Sequence, residues 1–225
     1  MRIVVCIKHV PDVQSERRIE DGRLVRGEED VLNELDENAV EAAVWLAVTL
    51  AEEADGEVIA LTMGPEEAED GVRRALQMGA DSGVVVADDD LAGADVVTTA
   101  RVLAAAIERI GEVDLVVTGM ASLDSMTSML PGALAAALHL PALTLANQLE
   151  VDGGAVTATR TVGTVREVLS APLPALVSVT DQANEPRYPN FAAMRAAKKK
   201  PIDFWDASEL GLEVADPAVK VVDDE

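Results

Sequence analysis

The sequence predicts an α/β domain: an open, mostly parallel sheet with helices on both faces, plus a β-hairpin insertion and an extended C-terminal arm. Three observations predict it. Short apolar runs of strand length alternate four times with helix-forming stretches before residue 140. Those runs are apolar on both faces, as befits strands covered on both sides. The pattern then changes to runs flanking Asp152-Gly153-Gly154, a hairpin signal.

Arg2 to Ile7 opens the series as a central parallel strand, ended by Lys8-His9-Val10-Pro11. His9 has no nearby Cys, Ser or second His, so it reads as a solvated loop histidine. Residues 14 to 32 are charged and irregular, with Asp21-Gly22 as a turn. Leu32 to Glu37 leads into a helical tract from Ala39 to Ala54, with Asn33 or Asp36 available as N-cap and Asp55-Gly56 as breaker. Strand Glu57 to Thr62 and helix Glu66 to Met78 follow, the helix starting with acids as the macrodipole prefers. Val84 to Val86 is the third strand, Leu91 to Ile110 the third helix, Val113 to Thr118 the fourth strand and Ser125 to Leu138 the fourth helix. His139 reads as a helix-end residue.

The hairpin is predicted over Leu145 to Val151 and Ala155 to Thr161, with further strands over Val165 to Ser170 and Ala175 to Thr180. Pro186 and Pro189 then hold an extended polar segment with Phe191 in its middle. Ala192 to Lys200 is helix-forming and ends in three lysines, suited to the negative end of a helix. The acidic tail beyond has Phe204 and Trp205 as its large apolar groups, and is expected to lie on a surface, its own or a partner's.

Composition limits the function. The net charge is −23, from 41 acids against 18 bases, which disfavours nucleic acid as a partner. The acids are spread along the chain, a balance that suits a surface adapted to high salt; melting temperatures in low and in molar salt would separate that reading from plain acidity. The single cysteine, Cys6, excludes an internal disulfide and suits a reducing compartment. With no leader and no run of membrane-span length, a soluble, cytoplasmic protein without membrane insertion is expected. Asp88-Asp89-Asp90 lacks the spacing, glycine and distant glutamate of a calcium loop, so no metal site is expected.

Ligands of an open parallel sheet bind beyond the carboxyl ends of its strands. Four loops qualify: Cys6 to Pro11, Asn33 to Asp36, Met63-Gly64-Pro65, and Gly119 to Ser128. The last supplies small residues, hydroxyls and free N–H groups before a helix, which suits phosphate, although an ordinary turn capped by Asp124 or Ser125 would look the same. No P-loop and no Gly-x-Gly-x-x-Gly follows the first strand. No catalytic constellation is visible, so the chemistry is expected to come from a cofactor.

Asn184-Glu185-Pro186-Arg187-Tyr188, followed by Met194 and the lysine run, resembles the signature of electron transfer flavoprotein beta subunits. The likeness extends to Asn33, Ala39-Val40-Glu41, Gly64-Pro65, Arg73, Ala75-Leu76, Met78 to Asp81, Gly83, Ala100 to Ala104, Val113 to Val116 and Gly119, in order and at matching spacing. The resemblance implies an adenine-nucleotide-hydrolase-like domain over 1–183, its hairpin region about 144–170, and a recognition loop, short helix and arm over 184–225. It implies an electron carrier in an obligate heterodimer with an alpha subunit that holds FAD, and a structural AMP in the beta subunit. It further implies docking of flavin dehydrogenases, such as those acting on acyl-CoA, and electron delivery to a quinone-linked oxidoreductase.

By the same resemblance, AMP contacts fall on Cys6, Asn33, Glu34, Leu35, Asp36, Met63, Gly119, Asp124, Ser125, Met126, Thr127 and Ser128, within a loop reaching Leu130. Adenine would lie near Cys6 and Met63, and phosphate near Ser125, Thr127 and Ser128. No lysine or arginine lies in that loop, so helix-terminal N–H groups would matter more than ion pairs. Tyr188, Pro189, Asn190, Phe191 and Met194 would meet partners, with Phe191 as the apolar anchor. Glu167, solvent-facing on a bare reading, aligns with a glutamate that bridges to the flavin domain. Electron-bifurcating relatives carry a second FAD in place of AMP, typically with Asp-Gly-Asp-Thr in the loop; here Asp124 and Thr127 remain while Ser125 and Met126 replace the middle pair, which leans toward AMP. A third reading, an adenine-nucleotide-binding module of stress-protein type, lacks the glycine-rich loop it would need and does not explain the arm.

Overall fold

A computed structural model of the protein describes residues 1–16, 18–20, 23–26, 29–50 and 56–214. The Asp21-Gly22 turn, the predicted helix end at Ala54 with Asp55, and the tail from residue 215 lie outside the described residues. The chain opens with β1 (Arg2–Cys6), followed by the short strands β2 (His9–Pro11), β3 (Ile19–Glu20), β4 (Arg23–Leu24) and β5 (Asp30–Leu32). Then come α1 (Glu34–Thr49), β6 (Glu57–Met63), α2 (Glu69–Met78), β7 (Ser82–Val86), α3 (Val96–Ile110), β8 (Leu115–Gly119) and α4 (Leu130–Ala137). The second part holds β9 (Ala142–Ala146), β10 (Gln148–Asp152), β11 (Ala155–Val162), β12 (Val165–Pro172), β13 (Ala175–Val179), α5 (Phe191–Ala197) and β14 (Ile202–Trp205).

The main sheet runs β14-β7-β6-β1-β8-β13-β9, and every pairing in it is parallel. β1 is central, as its two apolar faces predict. Ile3 and Val5 enter one core with α1 and α2; Val4 and Cys6 enter the other with α3 and α4. Val, Ala, Leu and Ile fill both cores. From β1 the chain builds outward through β6 and β7, then returns to the other side of β1 with β8. The strand order reverses between β1 and β8, where the loops leaving their carboxyl ends part.

Several local expectations are corrected. Residues 14 to 32 are not wholly irregular: β2 pairs with β5 and β3 with β4, in strands too short to leave a periodic signal. His9 is buried rather than solvated, packed against Gly71 of α2. α3 starts at Val96, not Leu91, because Asp95 caps it by accepting from the Thr98 N–H at 2.8 Å. Asp88 caps a separate 3₁₀ turn and accepts the Ala207 N–H. Residues 142–146 belong to the main sheet as its edge strand, so the hairpin begins at Gln148 and gains β12 as a third antiparallel strand.

The arm folds back on the domain. Phe191 opens α5 rather than standing mid-segment, because Asn190 accepts the Ala193 N–H at 2.9 Å and starts the helix there. Lys200 does not cap its own helix. Its ammonium donates to the carbonyls of Leu76, Gly79 and Ala80 at the end of α2. In return, Arg73 of α2 donates to the carbonyls of Ala197 and Lys200 at the end of α5, at 2.9 and 3.3 Å. β14 pairs with β7, so this part of the tail lies on the chain's own sheet. Beyond it, Arg109 of α3 stacks 4.5 Å over Trp205, and Leu210, Leu212 and Val214 pack on the α3–α4 core.

Candidate functional site

The site candidate is the loop that leaves β8 at the reversal of strand order. Its root is gripped from α1. Asn33, fully buried at the N-cap position, does not cap its helix with its side chain. Instead its Nδ2 donates to the Ala121 carbonyl at 2.9 Å, and its Oδ1 accepts the Leu123 N–H at 3.0 Å. One amide thereby satisfies a donor and an acceptor of a backbone with no sheet partner there.

Asp36 sits one turn further along, buried between the two strand ends. Its Oδ2 accepts the Lys8 N–H at 2.8 Å, and Gly119 also bonds to it through its backbone. Burial pushes its carboxyl up to about 7, against the opposing hydrogen bonds from Asn33, Lys8 and Gly119. The folded state therefore holds this proton more tightly than the unfolded chain, whose aspartates titrate at about 4. Its stabilisation is complete below about pH 4, is lost as pH rises toward about 7, and is flat above that. Denaturation of wild type and Asp36→Asn at each pH checks this. The stability difference, wild type minus variant, should fall by about 2 kcal/mol between roughly pH 5 and 7; a constant difference would rule the titration out.

Asp124 holds the middle of the loop. Lys8 Nζ donates to its Oδ2 at 2.8 Å, and the guanidinium of Arg26 donates to the same oxygen. Burial alone would raise this carboxyl, but Lys8, Arg26 and Ser122 outweigh it and hold it at about 2. Its Oδ1 is buried and has no hydrogen-bond partner among the described residues. The loop itself contains no cation, as its sequence says, yet the fold delivers two from elsewhere.

Beyond Asp124 the loop is exposed from Ser125 to Met129. α4 begins at Leu130, not Ser125. Met126 and Ser128 take φ of +51° and +52°, which a right-handed helix cannot hold, and Pro131 supplies the real start. Ser125, Thr127 and Ser128 thus stand on a loop ahead of the helix rather than on its first turn. Two non-glycine residues in the left-handed region within three positions mark a backbone held in an uncommon shape. Ser122 and Ser125 hydroxyls bond to each other at 2.7 Å.

The fold brings most of the predicted nucleotide contacts to the sheet's carboxyl edge. Cys6 ends β1, Met63 ends β6 and Gly119 ends β8, and β1 lies between the other two strands. Leu35 and Asp36 press against Gly119, while Glu34 is exposed. Cys6 is buried, and burial, then the charge of Asp36, pushes its thiol up to about 12, so it lines the site as a neutral group. Lys8, Ala121 and Leu123 fall within the loops the sequence offers, though their partners were not legible, and Arg26 lies outside those loops. Lys8 stood at a strand end without a visible partner, and Arg26 is 98 positions from Asp124.

The predicted partner-facing residues lie apart from this loop. Tyr188 and Phe191 are 91% and 87% exposed. Pro189 and Met194 are half-buried. An open groove of about 620 Å³ runs along α5, lined by Phe191, Ala192, Arg195, Ala196 and Lys199. The segment is pinned to α1. Asn184 and Asn38 exchange side-chain-to-backbone bonds at 3.0 Å, and Arg187 makes a two-pronged pair with Glu41 at 2.6 and 2.8 Å. Arg74 lies 6.0 Å from the Tyr188 ring. Glu167 of β12 is half-buried and paired with Arg160 at 2.7 Å, rather than bare to solvent. Among the described residues no cluster of metal-ligating side chains occurs, and no helix is long and apolar enough to cross a membrane.

Comparison with known proteins shows the family. Residues 21–210 match the model of the electron transfer flavoprotein domain. The chain is 41% identical to an electron transfer flavoprotein subunit beta of Mycobacterium leprae, covering 94% of this chain and 81% of that one. Identity to the subunit of the same name from Mycobacterium tuberculosis is 40%, with the same coverage. It is 34% for subunit CarD of the caffeyl-CoA reductase–Etf complex of Acetobacterium woodii, over 94% of this chain and 80% of that one. With the Asn184–Tyr188 segment pinned to α1 and the β8 loop gripped by Asn33, the chain belongs to the electron transfer flavoprotein beta-subunit family.

Proposed function

We propose that the chain is the beta subunit of a heterodimeric electron carrier. It binds AMP as a structural nucleotide at the β1–β8 reversal and pairs with an alpha subunit that holds FAD. Flavin dehydrogenases, including those acting on acyl-CoA, dock on Tyr188 to Met194, with Phe191 as the anchor, and electrons leave the FAD for a quinone-linked acceptor. FAD supplies the redox chemistry; this chain's residues bind, brace and dock. The observation that carries the reading is the β8 loop, gripped by Asn33 and Asp124 while Ser125, Thr127 and Ser128 stay exposed.

Exposed hydroxyls on a positively flanked loop suit a phosphate. Glu167 would turn from Arg160 to the partner on assembly. A second reading, FAD in place of AMP in a bifurcating subunit, has in its favour the likeness to CarD. Denaturing the purified complex and measuring the nucleotides released tests both. One AMP and one FAD per heterodimer is the expected result. Two FAD without AMP would establish the second reading, and a chain with neither flavin nor partner would overturn both.

A further inference from the structure

Asp124 is where three distant parts of the chain meet. Lys8 comes from the end of β1, and Arg26 from the excursion that follows β4. Arg26 also donates to the His9 carbonyl at 3.2 Å. His9 is buried in the β2–β5 pair, so the guanidinium is tied to the body of the protein at one prong and to the loop at the other. Only 2% of the Asp124 side chain reaches water, while Lys8 and Arg26 keep 38% and 30% exposure. The two cations therefore cover the carboxylate from the solvent side. Removing one leaves a buried charge with half its neutralisation.

The position of this contact matters. Asn33 fixes the loop at Ala121 and Leu123, and nothing from outside the loop is hydrogen-bonded to Ser125 or Met126 in the structure as described. Asp124 is thus the last brace before the exposed hydroxyls. Two cations on one carboxylate also leave a net positive charge of one beside those hydroxyls, in a chain of net charge −23.

We propose that Arg26 is a positioning residue for nucleotide retention: its clamp on Asp124 fixes the β8 loop in the shape that presents its hydroxyls and keeps the loop's surroundings positive. This rests on the nucleotide site proposed above. Lysine in place of Arg26 would keep the charge but lose the fork that grips His9 and Asp124 together.

The test uses the full chain with its co-purifying partner, loaded with labelled AMP, or with labelled FAD where FAD is what the denatured complex releases. Release into excess unlabelled nucleotide is compared for wild type, Arg26→Gln and Arg26→Lys. Arg26→Gln should release label about 10-fold faster, from the loss of a charge-assisted bond, with Arg26→Lys in between. Amide exchange should rise across residues 120–129 and stay unchanged in β1 and β8. Release at the wild-type rate overturns the clamp and leaves the nucleotide site standing. Exchange rising equally in β1 and β8 overturns it in favour of a general structural role. A wild-type protein that retains neither nucleotide defeats the nucleotide site, and the clamp with it.

Discussion

Gly119→Ala should abolish nucleotide retention and lower stability by about 3 kcal/mol, the upper end for overpacking a tight contact. A Cβ at this position would lie 2.3 Å from Asp36 Oδ1 and 2.8 Å from the Leu35 carbonyl oxygen. The carboxylate could swing away, but the Leu35 backbone belongs to the first turn of α1 and cannot move without the helix. The strand end and the helix start touch here with no side chain between them, which brings Asp36 within reach of the Gly119 backbone. Urea denaturation together with nucleotide content measures both effects. A variant with wild-type midpoint and full nucleotide would show that the contact tolerates a methyl group.

Asn33→Ala attacks the same loop from the other side. It removes the donor to the buried Ala121 carbonyl and one acceptor of the part-buried Leu123 N–H. A group left unpaired costs about 1–3 kcal/mol if it stays buried. The loop can escape part of that cost by opening to water, so the expected loss is about 3 kcal/mol in stability with most bound nucleotide gone. Asn33→Asp keeps the acceptor, loses the donor and adds a second carboxyl beside Asp36, and should be no better than alanine. Thermal unfolding and nucleotide content of the two variants check this; an alanine variant within about 0.5 kcal/mol of wild type, the ordinary range for a surface change, would remove Asn33 as the brace.

What the sequence reveals and conceals here follows from the range of the forces involved. β1 was legible because a strand covered on both faces must be apolar throughout, and Arg2 to Ile7 is. The signature Asn184 to Tyr188 was legible as a pattern, but its work was not: Asn184 and Arg187 serve Asn38 and Glu41, 146 residues earlier. The start of α4 was misplaced because Ser125 and Asp124 are good cap residues, and no local rule predicts left-handed backbone at a methionine. That shape at Met126 and Ser128 arises in a loop held at its root by Asn33 and at its middle by Lys8 and Arg26, contacts invisible along the chain. Phe191 was assigned to an extended segment because the prolines before it are strong signals, whereas Asn190 as a cap is a weak one.

The exchanged helix ends of α2 and α5 carry a consequence for the docking segment. Arg73 completes α5 and Lys200 completes α2, so each helix is left with bare carbonyls if the other departs. Peeling the arm away is then not a gradual fraying but a single event that undoes two termini at once. Phe191 sits on the helix so latched. A partner docking at that side chain, as proposed, would meet a helix backbone already set in place by folding rather than ordered in the encounter.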